Sequence, residues 1–364
     1  VDGPKQRGLV HVVADDGKHV GWADYNPKAP VRGRVLTRDE EWPGDFAFIS
    51  QRVQQALWRR IGLGMQPQGN GLRLINGEGD GLSGVVVDVF GGTLVIDLYS
   101  AGMRDRAEMI GGVLRQFLAD LKQVAHMGED AAGREGCEPL ASEAVQVSFA
   151  ENGVLFRFAL DASQKGGWYL DQRDNRRLVA QYARDRRVLD LFSYHGGFAL
   201  CALAAGAQSA DAVESSAAAV AAISANADHN GFPLTIHQND VFDWLEERGD
   251  GSTTFDLIVC DPPKLAPRRR DKQKGLKAYR FLIDRCLRML APNGILLVCS
   301  CSQIIGTEDL RKLLLQQAAK RRNELDVVGI TGQPADHPWP VAFTTGRYLS
   351  GVFVHLRPHA GGAG

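Results

Sequence analysis

The sequence predicts an α/β protein. Its C-terminal half, residues 161–364, reads as a parallel sheet with helices on both faces. An α+β block precedes it over 39–160, and a short β-rich segment over 1–38. Three observations predict this. From Arg187 onward, short β-branched runs alternate with Ala- and Leu-rich runs of helical length. Between 71 and 160, apolar runs flank the turn pairs Gly91-Gly92 and Asn152-Gly153. The first 38 residues alternate apolar and polar positions around Asp15-Asp16-Gly17 and Asn26-Pro27.

Each element follows from its local pattern. Leu9–Val13 and Val31–Val35 read as strands of a segment too short to bury a core of its own, so it must lean on a neighbour. Phe46–Ile61 has helical spacing, and Gly71–Asn76 leads into a hairpin about Gly91-Gly92. Met103–Leu121 reads as one helix, Glu129–Glu135 as a polar, Gly-containing loop, and Gln146–Leu160 as a second hairpin. In the last region Arg187–Phe192, Ser209–Val213, Leu234–Asn239, Phe255–Cys260 and Gly294–Cys299 read as successive strands, with Gly197–Ala205 and Ala217–Asn230 as the first two helices between them.

Composition excludes several classes. With 44% hydrophobic and 23% charged residues, the 364-residue chain is neither disordered nor membrane-like, and it lacks a run of about 18 apolar residues. The start Val1-Asp2-Gly3-Pro4-Lys5 shows no initiator Met and no signal-peptide pattern, as expected of a truncated or processed form. Six cysteines form no CxxC pair and sit mostly among apolar residues, which argues against zinc and for a reducing, cytoplasmic location. A net charge of -1 means that any nucleic acid must be met by a local basic face.

The chemistry concentrates where strands end. Val188–Ser193 is a buried strand that closes on Asp190 and turns through Gly196-Gly197 into a helix. Adjacent glycines allow close approach of a ligand, and the helix start offers free N–H groups. The dinucleotide signature GxGxxG is absent, and Asp190 would repel a pyrophosphate. An acidic strand end suits a cationic nucleotide, and S-adenosylmethionine carries a sulfonium and an amine. Glu214 ends the next strand, placed to accept from ribose hydroxyls, and Asp240 ends the third, placed to accept from an adenine amine. Each alone could be a helix N-cap. Together they favour a ligand site at the carboxyl edge of the sheet.

Two further strand ends carry reactive groups. Asp261-Pro262-Pro263-Lys264 is rigid and short of N–H donors, leaving carbonyls free to hold a flat base. Ser300-Cys301-Ser302 ends the fifth strand. Cys299 lies deeper and reads as packing, whereas Cys301 at the mouth is either a buried core thiol or a nucleophile for C6 of a pyrimidine. Arg268, Arg269 and Arg270, with Lys272, Lys274 and Lys277, follow as a basic loop suited to a phosphate backbone.

These motifs resemble the large-subunit ribosomal RNA cytosine-C5 methyltransferases of the PUA–EEHEE–methyltransferase architecture. The resemblance rests on Asn76–Asp88, Gln164–Arg177, Leu191–Phe198, Asp261–Lys264, Ser300–Ser302, and the tail motifs Ala335–Pro338 and Arg347–Gly351. It implies a Rossmann-like class I methyltransferase domain over 161–364, an EEHEE-like middle domain over 39–160, and a partial PUA-like segment over 1–38. It implies a cofactor pocket for S-adenosylmethionine drawn from Tyr169, Asp190, Phe192, Ser193, Gly196, Glu214, Asp240 and Asp261. It further implies Cys301 as nucleophile with Asp261 as catalytic partner, and Pro262, Pro263, Lys264, Arg173 and Arg268–Arg270 facing RNA. The partner so implied is 23S ribosomal RNA, with no membrane and no metal; the oligomeric state, a homodimer included, stays open. His195 stands where that family usually has Thr, and the family's PUA module starts earlier than this chain. A sister group that methylates guanine N7 lacks the Ser-Cys-Ser motif, which favours carbon methylation. A base-nitrogen methyltransferase and a non-catalytic RNA-binding assembly factor are the competing expectations.

Overall fold

A computed structural model describes residues 3–66, 70–118, 120–140, 144–160 and 167–358. Residues 164–166 of the second resembling motif lie outside them. The chain divides into two compact units. The first comprises Val1–Ala150, Arg157–Leu170 and Ala335–Gly346, the second Glu151–Phe156, Asp171–Pro334 and Arg347–Gly364.

In the first unit, β1 (Gly8–Val13), β2 (His19–Tyr25) and β3 (Gly33–Thr37) form an antiparallel sheet in sequence order. Leu9 and Leu36 join a hydrophobic cluster supplied mainly by later residues, so this sheet does lean on its neighbour. Helix α1 (Asp45–Gly62) buries Phe48, Ile49, Val53, Ala56 and Leu57 along one face. Strands β4 (Gly71–Asn76), β5 (Val85–Phe90) and β6 (Thr93–Leu98) follow, with the hairpin turning at Gly91 as expected.

The single helix expected over Met103–Leu121 is instead α2 (Ala101–Asp105) and α3 (Ala107–Phe117). Arg106 interrupts them; its guanidinium is held by Asp24 at 2.8 Å and Asp45 at 3.1 Å. Strand β7 (Lys122–His126) then pairs parallel to β6. The sequence reading missed it because Val124 is its single buried residue. The loop expected at Glu129–Glu135 is a helix, α4 (Glu129–Glu135). Glu129 and Asp130 stabilise its first turn, Ala131 and Ala132 are buried, and Gly136 ends it in the left-handed conformation at φ 63°.

Strands β8 (Val145–Glu151) and β9 (Val154–Leu160) pair around Asn152 and Gly153, both at positive φ, the backbone of a type I′ turn. The tail motif at Asp336 has a structural use here. Arg60, fully buried, is held by Asp80 at 2.6 Å and donates to the Asp336 carbonyl, while Asp336 Oδ2 accepts the Arg73 N–H at 3.0 Å.

The second unit opens with α5 (Arg173–Tyr182) and then alternates: β10 (Arg187–Leu191), α6 (Gly197–Ala204), β11 (Ser209–Glu214), α7 (Ala217–Asn230), β12 (Leu234–Gln238), α8 (Val241–Arg248), β13 (Phe255–Cys260), α9 (Lys272–Met289), β14 (Leu290–Ser300), α10 (Thr307–Arg321), β15 (Leu325–Thr331) and β16 (Ser350–Leu356). The sheet runs β12-β11-β10-β13-β14-β16-β15. The first five strands are parallel, as helical crossovers dictate. The purely parallel sheet of the sequence reading is corrected at its far edge. There β16 runs antiparallel to both β14 and β15, because the 332–349 connection carries no crossover helix. Leu189, Leu191, Ile258, Leu296 and Val298 fill the core beneath the helices.

The basic loop expected over Arg268–Lys277 is instead a 3-10 turn at Arg269–Asp271 that runs straight into α9. Lys272 onward is helix, since Gly275, Tyr279, Leu282, Ile283, Cys286 and Leu287 form a buried helical face. Among the described residues no helix is long and apolar enough to cross a membrane.

Candidate functional site

Strand order reverses between β10 and β13, the position at which open α/β sheets hold ligands outside their carboxyl ends. Both strands end in acid there. Asp190 is fully buried in β10. Its Oδ2 accepts from Ser193 Oγ at 2.6 Å and from the Ala199 N–H at 3.1 Å, but its Oδ1 is buried without a hydrogen-bond partner. Burial first, then the charge of Glu214, pushes the Asp190 carboxyl up to about 7. A buried carboxylate oxygen with nothing to accept is costly, and a cationic or N–H-bearing ligand would relieve it.

The turn after β10 is strained. Phe192 and Tyr194 hold φ 64° and 53°, uncommon for side chains of that size, and Gly196 holds φ 80°. The loop is nonetheless fixed: Phe192 and Ser193 donate N–H bonds to the Val213 carbonyl, and Tyr194 donates its N–H to Glu214 Oε2 at 2.9 Å. A Cβ at Gly196 would also press within 3.1 Å of Leu200. His195 is buried against Tyr194 with rings stacked 3.8 Å apart, and burial lowers its pKa to about 4, so it is neutral.

Glu214 closes β11, its Oε1 accepting the Ser216 N–H at 2.8 Å. That oxygen also accepts from Ser215 Oγ at 3.5 Å, whereas Oε2, with one bond, keeps a lone pair for a further donor. Asp240 is different. It is exposed, and its Oδ1 caps α8 by accepting from the Phe242 and Asp243 N–H groups. The capping use is realised there, and no interaction among the described residues joins Asp240 to Asp190 or Asp261.

Asp261 follows β13. Gln172 Nε2 donates to its Oδ2 at 2.8 Å. Burial, then the charges of Asp171 and Asp190, raise its carboxyl to about 7, against a lowering pull from Arg176 and from the Gln172 bond. Pro262 is buried; Pro263, Lys264 and Arg268–Arg270 are exposed.

Cys301 lies just past β14, partly buried. The serines around it are turned inward and used. Ser300 Oγ donates to the Ile305 carbonyl at 2.8 Å, and Ser302 Oγ to the Ala266 carbonyl at 3.0 Å. Ser302 thereby ties the Cys301 loop to the loop carrying Asp261. Burial, Asp261 and Asp171 raise the Cys301 thiol to about 11, while Lys264 lowers it. The thiol is therefore protonated at neutral pH, not the thiolate the sequence reading entertained. Cys299 is fully buried beside the Asn175 amide, as its packing role implied.

The structure thus brings Asp190, Ser193, Glu214, Asp261 and Cys301 into one electrostatically coupled cluster. Arg173 starts α5, and Tyr169, in the first unit, is 56% exposed. The sequence reading left four residues out. Asp171 accepts from Tyr348 Oη at 2.9 Å through Oδ2 and keeps a buried, unpartnered Oδ1. Gln172 and Asn175 brace Asp261 and Cys299, and Arg176 is buried in an ion pair with Glu151. The Gln164–Arg177 motif was the only signal for them. Among the described residues no His, Cys, Asp or Glu group is arranged to hold a metal, and all six cysteines are free.

The donor set fits a cationic nucleoside. Buried carboxylate oxygens without partners stand at the switch point, and Glu214 Oε2 can take a further donor on the neighbouring strand. Comparison with known proteins agrees. A family model described as S-adenosylmethionine-dependent methyltransferase matches residues 85–346. Ribosomal RNA large subunit methyltransferase I of Cronobacter sakazakii is 32% identical over 95% of this chain and 90% of its own length. The protein of the same name from Klebsiella pneumoniae is 32% identical over 94% and 88%. A solved chain assigned as a methyltransferase and complexed with SAH aligns with a TM-score of 0.81 at 21% identity, covering 96% and 91%. A Streptococcus mutans chain assigned as a SAM-dependent methyltransferase aligns at 0.79 and 20%, covering 97% and 93%. The last two likenesses show the fold.

Proposed function

The chain belongs to the S-adenosylmethionine-dependent methyltransferase family, and from that premise we propose that it methylates large-subunit ribosomal RNA at C5 of a cytosine, through Cys301. The three-part organisation is part of the same proposal: a partial PUA-like sheet over 1–38, an EEHEE-like domain over 39–160 and the methyltransferase domain from 161. The observation that carries the carbon assignment is Cys301 itself. It is the one residue of its motif not committed to a structural hydrogen bond, and it shares its electrostatic surroundings with Asp261. The relatives' name supports the RNA substrate.

When bound, S-adenosylmethionine supplies an electrophilic methyl group and leaves as a thioether. Asp190, Asp171 and Glu214 would hold its positive and hydroxyl-bearing parts, with Phe192, Ser193 and Gly196 shaping the loop against it; Tyr169 is the remaining residue assigned to the cofactor. Asp240 would reach the adenine only with the carboxylate oxygen not used in capping. The chain's own groups do the rest. Asp261, with a carboxyl near 7, is in part protonated at neutral pH and can share its proton with the cytosine ring nitrogen. That withdraws electrons from C6. Cys301 gives its proton to water, its sulfur bonds to C6, and the C5–C6 π pair becomes available at C5 for the methyl group. A base then removes the C5 proton, and the pair restores the double bond as the C–S bond breaks. Pro262, Pro263 and Lys264 would hold the base, and Arg173 and Arg268–Arg270 the phosphates.

RNA carrying 5-fluorocytosine tests this, because fluorine at C5 cannot leave as a proton and the adduct persists. The expected result is a denaturation-resistant adduct with the wild type and none with Cys301→Ala. The raised Cys301 thiol favours one second reading, in which the Asp261–Lys264 loop grips a base nitrogen and no thiolate is needed. Methyl transfer retained by Cys301→Ala would establish it.

A further inference from the structure

Helix α9 starts beside the Asp261 loop, at the carboxyl edge of the sheet, and runs to the opposite edge, where Met289 leads directly into β14. At 1.5 Å per residue its 18 residues span about 27 Å. Lys277, Arg280, Phe281, Asp284 and Arg288 recur at spacings of three and four and share one face. With Gln317, Lys320 and Arg321 of α10 they line a groove of about 550 Å³.

Five cations there meet one carboxylate. Asp284 is already shared by Arg288 at 3.2 Å and Arg321 at 2.7 Å, so four positive charges are in excess. Lys277, Arg280, Arg288 and Lys320 are exposed. The groove also contains a neutral donor with nothing to bind. Gln317 is 1% exposed, and its Nε2 has no hydrogen-bond partner. A buried amide donor beside unneutralised guanidinium and ammonium groups calls for an oxygen-rich anion.

We propose that the α9–α10 groove is a phosphate-backbone track for the RNA substrate, continuing the basic stretch Arg268–Lys274 away from the reacting base. This rests on the RNA reading above. An extended polyanion fits better than a compact phosphate, because Lys277, Arg280 and Arg288 are spread along the helix, at rises of about 4.5 and 12 Å. RNA fits better than an acidic peptide because the stripe begins at the loop that would hold the base.

The test is the salt dependence of binding to a cytosine-containing single-stranded RNA of about 30 nucleotides, measured by fluorescence anisotropy alongside methyl transfer. The variant Arg280→Ala/Arg288→Ala/Lys320→Ala removes three exposed cations. At about 0.7 counterions per phosphate contact, the slope of log K against log salt should fall by about 2. Between about 50 and 200 mM salt the wild type should therefore lose roughly 16-fold more affinity than the variant. Cofactor affinity and turnover at saturating RNA should not change. The charge-retaining variant Arg280→Lys/Arg288→Lys/Lys320→Arg should keep the wild-type slope, as should Arg311→Ala on the other side of α10. A wild type that binds and methylates the RNA, with an unchanged slope in the alanine variant, overturns the track alone and leaves an acidic protein segment as occupant. A wild type that neither binds nor methylates it overturns the RNA reading as well.

Discussion

Replacing Asp190 by Asn should make the second unit's stability less dependent on pH, by an amount the structure sets. The carboxyl is raised from 3.8 to about 7, chiefly by burial. With respect to this group the fold is at its best below pH 3.8, loses stability as pH rises through about 7, and loses little more above that. Three units correspond to about 4 kcal/mol in full, of which about 2.5 kcal/mol falls between about pH 5 and pH 8. Asn removes that part. Its carbonyl can still accept from Ser193 Oγ and the Ala199 N–H, whereas its amide stands where Oδ1 has no partner. Leaving that donor unmet costs about 1–3 kcal/mol, but equally at every pH. The quantity to measure is therefore the wild-type-to-variant stability gap at the two pH values, by denaturant titration read out through hydrogen exchange in β10 and β13. The gap should move by about 2.5 kcal/mol in favour of the variant at the higher pH. On the proposed reading the variant also binds S-adenosylmethionine roughly 10- to 100-fold more weakly, having lost a charge-assisted contact. A gap that does not change with pH would refute the argument that Asp190 is held partly neutral by its surroundings.

Three further outcomes follow from the same geometry. Gln172→Ala removes the bond that lowers the Asp261 carboxyl, so the limb of the pH–kcat/KM profile set by Asp261 should move upward from about 7; an unmoved limb would detach Gln172 from that carboxylate. Arg176→Met strands the buried Glu151 and should cost about 3–5 kcal/mol, most of it recovered in the Arg176→Met/Glu151→Leu double variant by thermal denaturation. Cofactor affinity measured by calorimetry should rise with pH up to about 7 and then level off, since a cation prefers Asp190 ionised; affinity flat across that range would count against Asp190 as its partner.

What the sequence revealed of the site, and what it hid, divide along physical lines. The strands β10 to β14 were legible because β-branched runs break at acids and glycines, and a parallel strand buried on both faces is apolar throughout. That placed Asp190, Glu214, Asp261 and Cys301 at strand ends, where the structure has them. Strand direction is not written locally, and no strand was read beyond Gly294–Cys299, so the antiparallel edge at β16 went unforeseen; the 332–349 connection decides it. Arg173–Tyr182 is mostly polar and charged, yet Asn175 and Arg176 are buried in it with Val179. A buried arginine is stable only because Glu151, 25 residues earlier, meets it, and no local pattern reports such a pairing. Asp171 and Gln172 sit in a short 3-10 turn without periodicity. Asp240 shows the reverse failure, since the spacing that marks a ligand acid also marks an N-cap, and here the cap is realised.

The raised values of Asp190, Asp261 and Cys301 are one effect more than three. Burial is the largest cause in each, and each adjoins another member's charge: Glu214 acts on Asp190, Asp190 and Asp171 act on Asp261, and Asp261 and Asp171 act on Cys301. A site assembled this way is poorly suited to carrying its full negative charge alone. A positive charge placed beside Asp190 and Glu214 favours their ionised forms and offsets part of the repulsion they pass on to the rest of the cluster. By reciprocity, whatever favours the ionised cluster favours the cation equally. On the proposed reading the acids that select the donor are thus electrostatically linked to the groups beside the reacting base, so donor binding and the protonation of that base-facing side are not independent.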